Sequence, residues 1–194
     1  MRLPPSMTVA EFEAWQPLEG LRDRRWQLID GEPVCMAPPG DDHGSIQSMV
    51  CYLLTRHLVE VGSSCRVVVT PGVIPRADAA HNERVPDLGI TCAPATGGRT
   101  IPDPVVLIEV LSPGNQVATR RNVWAYTTIP SVSEILLLSS LSVSGELLRR
   151  TPDGGWPAVP SMLGAESVVR LEAIGFEAAI GRCYDTSSLA SRRA

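Results

Sequence analysis

The sequence predicts a mixed α/β (α+β) fold, and three observations carry that prediction. Apolar residues recur at three- and four-residue spacing over 42–61, and a second helical pattern covers 116–128. Short runs rich in Val, Ile and Leu, above all 105–111, have the length and composition of strands. Asp30-Gly31 and Asp153-Gly154-Gly155 are tight-turn signals between apolar arms.

Taken in order, Thr8-Val-Ala-Glu11 has the form of a capping box and starts a short helix through Glu13 and Trp15. Residues 19–25 are polar and basic and read as a loop. Trp26–Met36 reads as a hairpin turning at Asp30-Gly31, ended by Pro38-Pro39-Gly40. The 42–61 helix carries Ile46, Met49, Val50, Leu53, Leu54 and Leu58, with Gly62 at the C-cap position. Arg66–Thr70 is a β-branched strand that Gly72–Pro75 extends across a bend, and Ala77–Arg84 is a polar loop. Val85–Cys92 is a strand entered through Pro86 at its edge. After a Gly-, Pro- and Thr-rich loop over 93–104, Val105–Leu111 is the most apolar strand, central and covered on both faces. The helix over 116–128 carries Val123, Trp124 and Tyr126 and is stopped by Pro130. Strands follow at 134–138, 143–150, 156–160 and 167–171. The tail 186–194 is small, polar and basic, and is expected to fray. With no internal repeat and no long linker, 1–194 reads as one domain.

Composition narrows the function classes. Of 194 residues 44% are hydrophobic, enough for a proper core, and the net charge of −4 exerts no global pull toward nucleic acid or anionic membrane. All 17 basic residues are arginine, so the chain holds no lysine. No secretory signal and no run of roughly 20 apolar residues is present. The five cysteines are widely spaced, without a Cys-x-x-Cys pair, and read as free thiols in a reducing cytoplasm. Gly-x-Ser-x-Gly, Walker and Rossmann patterns are absent, which removes esterase, NTPase and dehydrogenase readings.

Two acids stand out by placement. Glu109 is embedded in the apolar strand 105–111, where an unpartnered glutamate is costly, and Asp87 follows Pro86 at the start of the preceding strand. If these strands pair, both carboxylates meet at one sheet edge and suit an octahedral Mg²⁺ site. In the other reading Asp87 caps a turn and Glu109 pairs with Arg84 or Arg120. Position alone leaves both standing.

Further blocks carry a resemblance: Met7-Thr-Val-Ala-Glu-Phe12, Leu28-Ile-Asp-Gly-Glu32, His43, Val85-Pro-Asp87, Val106-Leu-Ile-Glu-Val-Leu-Ser-Pro113, Tyr126 and Ile129-Pro-Ser-Val132. In this order, over roughly 7–185, they resemble the Uma-type family of restriction-endonuclease-like proteins in the PD-(D/E)xK nuclease superfamily. The resemblance implies a mixed central sheet flanked by helices, with the acids on its central strands, and the turn signals of this chain add N-terminal and C-terminal hairpins. It also implies Mg²⁺ or Mn²⁺ as cofactor and DNA as substrate, with Asp87, Glu109 and the backbone carbonyl of Val110 as metal ligands. Dimers are common in the superfamily, and exposed hairpin aromatics permit a homodimer here.

The pattern also breaks. The superfamily lysine falls at Leu111, and its alternative position in Uma-type relatives, four residues before Tyr126, is Asn122. Relatives carry Glu where this chain has Gln27. Arg120 and Arg121, on the same helix, are candidates for the missing cation, although arginine does not exchange protons. His43 matches a family position and reads equally as a helix-start histidine. His57 reads as structural. His81 sits in a polar loop, and Arg22, Arg24 and Arg25 are candidates for phosphate contact. Two functions follow: a metal-dependent DNA endonuclease impaired by loss of its lysine, or a catalytically inactive nuclease fold serving as a nucleic-acid or partner-binding module.

Overall fold

The computed structural model describes residues 6–15, 17, 19 and 24–193; the expectation for Arg22 lies outside them. Helix α1 (Val9–Ala14) begins on the expected capping box, in which the Glu11 N–H donates to Thr8 Oγ1 and the Thr8 N–H to Glu11 Oε2. Strands β1 (Trp26–Ile29) and β2 (Glu32–Cys35) pair antiparallel about Asp30 and Gly31, both at positive φ, as a two-residue type I′ turn requires. Gly31 has a second constraint, because a Cβ there would lie 1.8 Å from Ser6 Oγ.

The body is a six-stranded sheet in the order β3-β4-β5-β6-β7-β8. Its strands are β3 (Arg66–Val69), β4 (Leu88–Thr91), β5 (Pro104–Leu111), β6 (Glu134–Ser139), β7 (Gly145–Arg149) and β8 (Ser161–Leu163). Neighbours are antiparallel except β5 and β6, which run parallel because helix α3 (Gln116–Thr127) carries the chain back across the sheet. The sheet is therefore mixed, as predicted.

Period-two alternation in β5 sorts the core. Val106, Ile108 and Val110 face helix α2 (Asp41–Glu60), packing with Ile46, Val50, Leu54 and Leu58. Leu107 faces the other way, with Ile135, Leu137, Val123 and Tyr126 under α3, and Glu109 shares that parity. A C-terminal hairpin, β9 (Val168–Leu171) with β10 (Phe176–Ala179), seats Val169, Leu171 and Phe176 in the α2 layer. No helix among the described residues is long and apolar enough to cross a membrane.

Three expectations need correction. Residues 156–160 do not form a strand. Pro157 and Pro160 cannot supply ladder donors, and the Trp156 indole instead donates to the Thr127 carbonyl at 3.0 Å. The tail does not simply fray: Leu189 is buried, and the Ser188 N–H and hydroxyl donate to Asp42 at the start of α2. Nor are all five cysteines free. Cys65 and Cys92 form a disulfide, because β3 pairs with β4 as Arg66↔Thr91 and the next residues outward face each other. Cys35, Cys51 and Cys183 remain free.

Candidate functional site

The β4–β5 ladder ends at Leu88↔Ile108, which leaves the Val110 N–H beyond the last backbone partner. Asp87, one residue before β4, fills that place: its Oδ2 accepts the Val110 N–H at 2.7 Å. Its other oxygen accepts from His43 Nε2 on α2 at 3.0 Å, and His43 Nδ1 stands 3.1 Å from Ser112 Oγ. The Asp87 carbonyl accepts from the Thr70 N–H and from Gln47 Nε2 at 2.8 Å. The acid is thus fixed by β3, β5 and α2 together.

Glu109 projects toward α3, where the Tyr126 hydroxyl donates to its Oε1 at 2.7 Å. Its carboxyl also lies within hydrogen-bonding reach of Asp87 and Asn122. Burial, and then the neighbouring Asp87 charge, hold the Glu109 carboxyl well above the usual glutamate range, while Tyr126 and Asn122 oppose them. Burial and the Glu109 charge likewise push the Tyr126 phenol up. Asn122, one turn before Tyr126, donates to Gln27 Oε1 at 3.3 Å, and its own buried Oδ1 has no partner. Val110 presents its carbonyl on the same edge as its N–H, where Asn115 Nδ2 donates to it at 3.2 Å.

Asp87, Glu109, Val110, Asn122, Gln27, His43 and Tyr126 therefore meet in one buried polar cluster. Arg120 and Arg121 do not join it. Arg120 is clamped by Glu146, with one N–H···O contact of 2.6 Å, and Arg121 lies on the exposed side of α3. Glu109 pairs with neither Arg84 nor Arg120. His57 donates to the Ile174 carbonyl and packs on Phe176, His81 pairs with Asp78, and Arg24 and Arg25 are exposed.

The two unlike positions at the site are in fact one contact. Gln27 and Asn122 stand where the resemblance expects a glutamate and a lysine, and here they are a bonded amide pair. The sequence reading missed Arg84 as a site residue. It is buried beside Tyr126, and its only signal was a charged residue three positions before Asp87.

An acidic pair needs a counter-charge, and the fit to a divalent ion rests on the donor set. Asp87 and Glu109 bring two carboxyl groups together, with no cation paired to Glu109 among the described residues, beside the orphaned Asn122 carbonyl oxygen. All are hard oxygen donors. Among the described residues no three His, Cys, Asp or Glu side chains gather for a metal.

Comparison with known proteins agrees with this architecture. A protein of Synechocystis sp., "Uncharacterized protein slr1290", is 27% identical over 183 residues, spanning 93% of this chain and 92% of that protein. The fold is shared with a crystal structure titled as a putative nuclease belonging to DUF820 from Anabaena variabilis. The TM-score is 0.71 at 14% identity, covering 92% of this chain and 98% of that one. Residues 9–181 match the family model described as "Uma2: Putative restriction endonuclease", and the chain belongs to that family.

Proposed function

We propose that the chain is a divalent-metal-dependent endonuclease hydrolysing DNA phosphodiester bonds. The observation that carries this reading is the buried Asp87–Glu109 pair at the open end of the β4–β5 ladder, where among the described residues no arginine pairs with either acid and His43 alone contacts Asp87 as a basic group. Asp87, Glu109 and the Val110 carbonyl would hold Mg²⁺ or Mn²⁺. Such an ion supplies Lewis acidity that activates a water and offsets charge building on the phosphate.

The protein's own groups do the rest. The Val110 N–H and His43 fix Asp87, keeping its carboxylate aimed at the site. Tyr126 holds Glu109 in one rotamer. Burial and Asp87 favour the neutral form of the Glu109 carboxyl and a bound cation would favour its charged form, so metal affinity should rise with pH. The free Asn122 carbonyl oxygen accepts a hydrogen bond from a water and orients it, but takes no proton from it.

The test is nicking of supercoiled plasmid with Mg²⁺ or Mn²⁺, which should be lost in Glu109→Ala. Equal inertness of wild type and variant across metals and DNA forms would refute the reading. One observation favours a second reading, a non-catalytic nuclease fold: the neutral Gln27–Asn122 pair leaves that flank of the site without charge. Calorimetry showing Mn²⁺ bound without turnover would select it.

A further inference from the structure

We infer that the cavity containing Glu83 is a nucleotide pocket, in which a guanine base donates its N1–H and N2–H to the Glu83 carboxylate while the attached phosphate meets Arg24 and Arg25. The inference stands apart from the nuclease reading, because none of these residues holds the Asp87–Glu109 pair.

The starting point is an acid with nothing to bond. The Glu83 side chain is 1% exposed, yet neither Oε1 nor Oε2 has a hydrogen-bond partner among the described residues. The Arg99 guanidinium, itself half exposed, stands 3.5 Å from Oε1, near enough for attraction but not hydrogen-bonded. Burial pushes the Glu83 carboxyl up against the pull of Arg99, and Glu13 adds to the rise. Two enclosed acceptors without donors are costly in a folded chain and call for a partner.

A cavity of about 400 Å³ meets this acid, lined by Glu83 together with the carboxylate's own neighbours Gly72 and Arg99. That volume falls within the range of small-ligand sites. Gly72 makes the room, since a Cβ there would lie 2.7 Å from Glu83 Oε1. Phe12, Trp15 and Trp26 supply apolar walls. The Trp15 ring lies 6.0 Å from Phe12, nearly parallel, and 5.0 Å from Trp26, edge-on. Arg99 spreads over the Phe12 ring at 5.0 Å. Aromatic rings interleaved with arginine are platforms on which bases stack.

Charge then selects the ligand. Glu83 is the one acid among the described lining residues, against Arg24, Arg25 and Arg99. A cationic ligand would answer the acid but face those arginines. A ligand with N–H donors at one end and an anion at the other satisfies both, and a nucleotide has that form. Guanine alone among the bases carries two adjacent N–H donors on one edge, matching the two carboxylate oxygens. Adenine and cytosine set one donor beside an acceptor, and the imino donor of uracil or thymine lies between two acceptors. The cavity also borders the Asp87 site: Thr70 lines it, and the Thr70 N–H donates to the Asp87 carbonyl. The guanine belongs either to a free nucleotide or to an unpaired nucleotide of a strand, and both present the same edge.

The experiment titrates guanosine, GMP, AMP, CMP and UMP into the full-length protein without metal, followed by calorimetry and tryptophan fluorescence. GMP should bind at least about tenfold tighter than the other nucleotides and quench the fluorescence. Guanosine should bind more weakly than GMP, and Arg24→Gln with Arg25→Gln should remove that difference. Glu83→Gln, whose amide offers one acceptor and one donor, should weaken GMP about tenfold or more and move the preference toward AMP. A role confined to folding would not exchange one base for another. Oligothymidylates carrying a single central dG or dA distinguish the sources. A dG-dependent gain that GMP competes away assigns the site to a strand, and a preference confined to mononucleotides assigns it to free nucleotide. Binding of no guanine compound, equal binding of all the nucleotides, or GMP affinity unchanged in Glu83→Gln overturns the inference. Should Glu83→Gln not fold, the nucleotide series on wild type decides alone. Plasmid nicking enters none of these outcomes, so the nuclease reading stands or falls separately.

Discussion

The Glu109 carboxyl is at the centre of the residue-scale picture. The folded-state pKa of Glu109 lies above its unfolded value because burial and Asp87 disfavour its charge. The folded state therefore binds the proton more tightly, and that contribution is complete below the unfolded pKa of about 4.3. It is lost as pH rises through the folded pKa. Metal-free protein should accordingly gain thermal stability as pH is lowered from neutral toward 5. Glu109→Gln should flatten this profile and raise the neutral-pH unfolding temperature; a steeper profile in the variant would refute the assignment. The Gln27–Asn122 pair gives a second residue-scale test. Asn122→Lys places a cation against the neutral Gln27 amide and within reach of Glu109, and Gln27→Glu should make that replacement more favourable. A double-mutant cycle in urea should show a favourable coupling of roughly 1–3 kcal/mol.

At the scale of elements, the Cys65–Cys92 bridge clamps β3 to β4 beside the register pair Arg66↔Thr91. A crosslink closing a loop of sequence separation 27 contributes up to about 3.5 kcal/mol through the unfolded chain. Reduction should lower the unfolding temperature by roughly 7–14 °C. Thiol titration of denatured protein should find the three free cysteines before reduction and five after. Most elements were legible in the sequence because local signals were strong: the Thr8 cap, the Asp30-Gly31 turn, the α2 periodicity and the apolar β5. The meeting of Asp87 and Glu109 was legible because Pro86 and the flanking run marked a strand edge. The disulfide was not legible, because spacing along the chain says nothing of strand register. Arg84 was missed for a similar reason: only folding shows that its N–H groups are enclosed and unmatched.

On the scale of the whole molecule, the sheet is sandwiched unequally. The α2 layer is extended by β9, β10 and the C-terminal turns, ending with Leu189, whereas the α3 layer is smaller and borders the polar cluster. Leu189→Ala should therefore cost about 2–4 kcal/mol in denaturant unfolding, despite its place in a segment whose composition suggests a loose tail. An effect below about 0.5 kcal/mol would show that the C-terminal segment contributes little. The connection from α3 to β6 was readable from Pro130, but the docking of the C-terminus onto Asp42 depends on distant contacts that no local pattern announces.

Asp87 closes the β4–β5 ladder by accepting the Val110 N–H, so it has a structural task independent of any chemistry. Removing that acceptor leaves an enclosed donor unmatched, at a cost of about 1–3 kcal/mol. A lineage that had ceased to cut DNA would still be under selection to keep an aspartate there, simply to remain folded. Persistence of this acid is therefore poor evidence of a living enzyme, and the same holds in part for Glu109, whose loss would leave the enclosed Tyr126 hydroxyl without its acceptor.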